Sequence, residues 1–178
     1  SDFNKLTNDI NLKLNHDDFN FETGFQSFEN LRTKNQSDRY QYVLPYYNFE
    51  KYISKNLFNG NVSLNSNGNN VLDSTNKLET NITNNLTYNS IDFISNSGFK
   101  NNFGINLKNL NSVGKKSSKY KSSLQSELVS LYNLDISLPL KKNSQKSKNY
   151  LTPKLSLRFN PHDMKDYSSS GRIIDAHN

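Results

Sequence analysis

The chain has 178 residues, enough for one ordinary domain, but only 33% are hydrophobic against roughly 45–50% in typical soluble domains. That shortage excludes a conventional thick core, and 10 Tyr and 11 Phe exclude a disordered chain, which would be poor in aromatics. The formal net charge of +6 suits an anionic partner, and the lack of cysteine excludes disulfides and thiolate metal sites.

No stretch approaches the roughly 18 consecutive apolar residues of a transmembrane helix. Ser1-Asp2-Phe3-Asn4 is already patterned and does not read as a signal peptide. An exported protein would therefore be represented here by a mature chain or by a segment of a longer one.

The elements read as strands in chain order. Ile10, Leu12 and Leu14 alternate with polar residues, and His16-Asp17-Asp18 reads as a turn. Phe19, Phe21 and Phe25 share one face of a second strand, and Phe28 to Ser37 reads as a polar loop. Tyr40, Tyr42, Leu44 and Tyr46 alternate with Gln41, Val43, Pro45 and Tyr47. Pro45 cannot donate to a ladder, so an edge, bulge or irregular point is expected there. Phe58, Val62 and Leu64 form a further strand, and Asn67-Gly68 after it is a favoured hairpin turn pair.

The clearest alternation runs from Leu78 to Asn89. Its even positions, Leu78 to Tyr88, are mostly apolar, and its odd positions, Glu79 to Asn89, are wholly polar. A turn follows at Ser95-Asn96-Ser97-Gly98, then a strand with Phe99, Phe103, Ile105 and Leu107 on one face. Asn111 to Ser123 reads as a long basic loop. Leu124 to Leu138 reads as one long strand; a helix fits Leu124, Leu128 and Leu131, but only a strand fits Asn133–Leu138. Lys141 to Lys148 reads as a second basic loop. Leu151, Leu155, Leu157 and Phe159 form the next strand, ended by Asn160-Pro161, and Arg172 to Asn178 can begin one more.

The expected fold is all-β: an antiparallel meander of about eight or nine long strands, read as part of a transmembrane β-barrel. Segments of about 10 alternating residues between turns are the signature of outer-membrane barrels. Only a closed barrel satisfies every strand backbone group in hydrocarbon. A soluble all-β binding module predicts the same alternation, since antiparallel sheets also have one wet face. The length of the strands favours the membrane, because soluble strands are usually about 5–6 residues.

Five short motifs make the reading more specific. These are Asp38-Arg39-Tyr40, Leu44-Pro45, Leu138-Pro139-Leu140, Leu151-Thr152-Pro153-Lys154 and Arg158-Phe159-Asn160-Pro161. Together they resemble the barrel region of the LPS-assembly protein LptD family, also called organic solvent tolerance proteins. The resemblance spans roughly residues 10 to 178. It implies a Gram-negative outer-membrane location, a periplasmic jellyroll domain elsewhere, an LptE-like lipoprotein plug and periplasmic Lpt components. It also implies export of lipopolysaccharide to the outer leaflet without covalent chemistry. The strands are too few for the whole barrel, no part resembles the jellyroll, and the chain ends Ala176-His177-Asn178 without a terminal aromatic. Residues 1–178 therefore read as a single internal wall segment, without the lateral gate and unable to insert alone. A porin-like or structural barrel is the alternative.

The odd-side residues Asn81 and Asn85, with Lys100, Asn106 and Arg158, are candidates to face a barrel lumen. Lys115, Lys116, Lys119 and Lys121 form one cluster, and Lys141, Lys142, Lys146 and Lys148 another. They read either as solvated loops or as contacts to anionic lipid headgroups, with Lys115, Lys116, Lys141 and Lys142 leading. Nucleic acid is not expected, because the aromatics lie on apolar strand faces rather than among base-reading side chains. No catalytic residue, metal site or cofactor is expected. His162-Asp163 with Ser168, Ser169 and Ser170 lacks a G-x-S-x-G elbow, and His16, His162 and His177 lack metal-ligand spacing. Asn35, Asn61, Asn81 and Asn85 match N-x-S/T by chance in an Asn-rich chain.

Overall fold

The structure is a computed structural model that describes residues 5–32, 39–57, 59–74, 76–144 and 147–162. Every regular element among them is a strand. In chain order these are β1 (Lys5–Asn15), β2 (Phe19–Asn30), β3 (Tyr40–Leu57), β4 (Gly60–Asp73), β5 (Lys77–Ser90), β6 (Phe93–Ile94), β7 (Lys100–Lys115), β8 (Gln125–Ser137), β9 (Leu140–Asn143), β10 (Lys148–Leu151) and β11 (Lys154–Phe159). The main sheet has nine strands in the antiparallel order β1-β2-β3-β4-β5-β7-β8-β11, with β6 pairing to β7. β9 and β10 form a separate two-stranded hairpin.

The expected all-β antiparallel meander is present, and its sheet is open rather than closed, with β1 and β11 at the edges. No second layer packs on it among the described residues. Among the described residues Val62 is the one buried apolar side chain, while Ile10, Leu12, Leu128, Leu157 and Phe159 are exposed. Stability thus rests on ladder hydrogen bonds and cross-strand side-chain pairs rather than on a core.

The Leu78–Asn89 strand is present as β5, and β8 confirms a strand rather than a helix after Leu124. Pro45 sits where expected, at a register shift between Val43 and Tyr46 on β3, with the Leu44–Pro45 peptide cis.

Several boundaries differ from expectation. β2 continues through Phe28, which pairs with Thr7 and Gln41, to Asn30, so the expected loop from Phe28 starts inside a strand, and its residues 33–37 lie outside the described residues. Asn67-Gly68 is not a turn: Gly68 lies mid-strand between Tyr47 and Ile82. The chain reverses between Asp73 and Lys77 instead, where Ser74 takes φ 49° and Asn76 N donates to Asp73 O at 3.3 Å. Asn111–Lys115 belongs to β7, and the loop begins at Lys116, whose φ is 54°. The second basic loop is largely the β9–β10 hairpin. Pro153 splits the expected Leu151–Phe159 strand into β10 and β11. The suggested strand at 172–178 lies outside the described residues.

Candidate functional site

Directly paired residues of an antiparallel sheet point to the same side, so the register sorts every side chain onto one of two faces. Asn81 pairs with Ser112, Asn85 with Lys108, Asn106 with Leu131, Lys100 with Ser137 and Arg158 with Asn133. Followed from strand to strand, these pairs place all five lumen candidates on one face. That face also carries Glu22, Glu50, Asn65, Asn69 and Asp135. The opposite face carries Leu12, Phe21, Phe49, Leu64, Leu86, Leu107, Tyr132 and Leu157.

The polar face is stitched by side-chain hydrogen bonds. Asn81 Nδ2 donates to Asn69 Oδ1 at 2.8 Å, Asn65 Nδ2 to Glu50 Oε1 at 3.0 Å and Ser156 Oγ to Asp135 Oδ1 at 2.5 Å. Lys100 Nζ pairs with Asp92 at 2.7 Å, and Lys13 Nζ with Glu22 at 3.3 Å. Asn85 Oδ1 and Ser112 Oγ are buried atoms without a hydrogen-bond partner. Asp92, Lys100, Asn102, Asp135, Lys154 and Ser156 line a 310 Å³ cleft on this side. Asp92 and Asp135 escaped sequence reasoning because Asp92 lies in the link between β5 and β6 and Asp135 on β8, and only the strand pairing brings them to one cleft.

The apolar face carries a band that does not run straight across the strands. In β1 it centres on Ile10, which pairs with Phe25 and lies level with Thr80 of β5 across the β3 bulge. In β11 it centres on Leu157, which pairs with Leu134 and through it with Phe103. Phe103 is level with Ser90 of β5, whose Oγ accepts its N–H at 2.9 Å. The band thus slides about ten residues along β5, or about 33 Å, over seven strand spacings totalling about 34 Å. The strands are inclined about 45° to the perpendicular of the band. Aromatic pairs reinforce it: Phe21–Phe49 (6.5 Å between centroids), Tyr88–Phe103 (5.5 Å) and Tyr132–Phe159 (6.4 Å).

One polar row crosses this face. Tyr47 OH lies 3.1 Å from Ser66 Oγ, which donates to Asn84 Oδ1 at 2.7 Å. Asn84 Nδ2 donates to Asn109 Oδ1 at 3.2 Å, and Asn109 Nδ2 to Ser126 Oγ at 3.3 Å. Each is a polar residue at an even or odd position otherwise kept apolar, so the sequence carried the signal without showing that the positions align.

The lysine clusters do not share a rim. Lys115 ends β7 opposite Leu78 and Lys116 opens the following loop, next to the start of β8. Lys141 and Lys142 lie on β9, beyond the other end of β8. In the first cluster Glu79 is close by, accepting from Ser117 Oγ at 2.6 Å and pairing with Lys77 at 3.3 Å. In the second, Lys141 Nζ lies 5.8 Å from the Tyr150 ring centroid, and Lys142 faces Asn149.

The histidines have local roles. His16 stacks on Phe19 at 5.1 Å and accepts from Asp18 N, and His162 N donates to Asn160 Oδ1. Asp163, Ser168, Ser169, Ser170 and His177 lie outside the described residues, as do Asp38 and Lys146. The chain matches no protein-family model and no curated protein.

Proposed function

We propose that the chain is a stretch of the wall of an outer-membrane β-barrel, most similar to LptD, that serves export of lipopolysaccharide to the outer leaflet without covalent chemistry. The observation that carries this reading is the uncovered apolar band inclined about 45° to the strands. An outer-membrane barrel has an outward apolar band and strands tilted about 35–45°, so the same incline makes the band horizontal in a bilayer. A soluble sandwich has no need of it, because its apolar faces meet a second sheet.

In this reading the apolar face meets acyl chains. The polar face lines the lumen with Asn81, Asn85, Lys100, Asn106 and Arg158, where lipopolysaccharide or an LptE-like plug would contact it. The motifs behind the resemblance add support by position. Leu44-Pro45 forms the β3 bulge, and Leu138-Pro139 and Thr152-Pro153 mark the junction between sheet and hairpin. The open edges at β1 and β11 fit an internal wall segment, whose neighbours would be further strands.

Cysteine scanning along β8 tests the reading, since the chain has no native cysteine. Single cysteines at Leu128, Tyr132 and Leu134 in the envelope-embedded protein should resist a water-soluble maleimide, while those at Glu127, Leu131 and Asn133 should react. Equal labelling of both sets rejects the wall. A reading frame encoding a jellyroll domain upstream and more alternating strands downstream supports the LptD assignment over a porin-like barrel. The polar row through Asn84 favours one other reading, in which a second protein layer covers this face. Protection of the same three cysteines in a membrane-free soluble fraction would select it.

A further inference from the structure

The formal charge of the chain is unevenly placed. Residues 136–162 contain six Lys and Arg and no Asp or Glu, so they carry as much net charge as the entire chain. The β9–β10 hairpin holds three of these cations, Lys141, Lys142 and Lys148, all exposed. No ion pair joins them to a carboxylate among the described residues. Lys154, by contrast, shares its cleft with Asp92 and Asp135.

The hairpin is also an extension of the wall. Ile136 pairs with Leu155, Leu138 N donates to Pro153 O at 3.1 Å, and Leu140 pairs with Leu151. The register of β8 with β11 therefore carries across the proline interruption into β9 with β10. On the apolar side the succession along this ladder is Leu134, Ile136, Leu138, Leu140 and then Lys142. Leu140 and Leu151 are 45% and 65% exposed, so an uncovered apolar row ends directly at Lys142, which pairs with Asn149, while Lys141 and Lys148 stand on the other face of the same hairpin. Leu128 to Leu140 spans about 40 Å along the strand and about 28 Å in height at a 45° incline. That is close to the roughly 25 Å apolar band of an outer-membrane barrel.

We propose that the β9–β10 hairpin is a docking element for anionic, phosphate-bearing lipid headgroups at one rim of the wall. Leu140 and Leu151 seat at the acyl boundary, and Lys141, Lys142 and Lys148 meet the headgroups. This rests on the wall reading and names a partner for one rim only.

Flotation of the full chain with vesicles tests it, comparing phosphatidylcholine alone with phosphatidylcholine containing phosphatidylglycerol. Each lysine near an anionic surface contributes enough that Lys141→Ser, Lys142→Ser and Lys148→Ser together should weaken binding to anionic vesicles about 100-fold. Lysine-to-arginine changes at the same positions should restore binding. Replacing Lys115, Lys116, Lys119 and Lys121 with serine should cost less than about 3-fold, since that cluster lies beyond the start of β8, at the rim opposite Leu140 and Leu151 and far outside a screening length from them. Leu140→Ser with Leu151→Ser should weaken binding to both vesicle types. Equal losses from the two lysine sets would overturn the proposal in favour of diffuse charge. So would displacement by free inorganic phosphate, or equal capture by a DNA duplex at matched salt. Docking is read by flotation and insertion by cysteine labelling, so either reading can fail alone.

Discussion

Gly68 of β4 lies against the ring of Tyr47 on β3: a Cβ at Gly68 would stand 2.7 Å from Tyr47 Cε1, 3.0 Å from Asn81 O and 3.1 Å from Ile82 Cγ1. The ring fills the place of the missing side chain. Because the obstruction includes backbone from the neighbouring strand, the ring cannot relieve it alone. Gly68→Ala should destabilise the sheet by about 1–3 kcal/mol, the usual cost of overpacking. Tyr47→Ser should recover part of that loss in the double variant. Denaturant unfolding of the four members of the cycle measures it, and additive losses would show that the ring and the glycine are not coupled.

The same glycine shows where the sequence was misleading. Asn-Gly is a favoured turn pair, yet the chain runs straight through it. In a core-forming sheet, the residue types of turns and strands differ because one strand face is buried. In this single layer one face is mostly polar, so asparagine fills strand and turn alike. The period of two survives that mixing, which is why β5 and β8 were legible and the strand ends were not. The common face of Asn81, Asn85, Lys100, Asn106 and Arg158 follows from alternation plus antiparallel pairing, and both were readable. The Asp92–Lys100 pair, the polar row through Asn84 and the incline of the band depend on register, which pairing alone decides.

The polar row makes a stability test. Asn84 is half-buried, accepts from Ser66 and donates to Asn109. Asn84→Ala removes both bonds, while Ser66 keeps Tyr47 and Asn109 keeps Ser126. The loss should therefore fall near the lower end for hydrogen-bond removal, about 1–2 kcal/mol. A double-mutant cycle with Ser66→Ala should give a coupling of about 0.5–1 kcal/mol. Coupling indistinguishable from zero in unfolding midpoints would mean the row is incidental.

Pro153 separates wall from hairpin, and removing it should join them. Leu138 N already donates to Pro153 O, but proline has no N–H to return the bond. Pro153→Val supplies one, worth about 0.5–1.5 kcal/mol. Releasing the proline constraint on the unfolded chain opposes this by about 0.4–1 kcal/mol. The two nearly cancel, so the global unfolding midpoint should move little. Hydrogen exchange is the sensitive measurement: the new amide at 153 should be protected, and Leu140 and Leu151 should gain protection as the ladder becomes continuous. Fast exchange at 153 would show that the break is set by Pro139 instead.

The edges decide whether this sheet is a segment or a small barrel of its own. β1 and β11 are the ends of the strand path, and an internal wall segment keeps them apart, each pairing with a further strand. Asn69→Cys with Asn81→Cys joins directly opposed residues whose side chains already meet at 2.8 Å, so it should cross-link readily under mild oxidation. Asn11→Cys with Arg158→Cys places the thiols on β1 and β11 on the same polar face, and it should stay reduced in the membrane-embedded protein. High yield of the second cross-link would mean that eight strands close on themselves. The interior would then be narrow enough for side chains to fill. A lumen wide enough for a lipid headgroup and a plug would be ruled out, and the proposed lipopolysaccharide export would fall with it, while the apolar band and the bilayer contact proposed for it would stand.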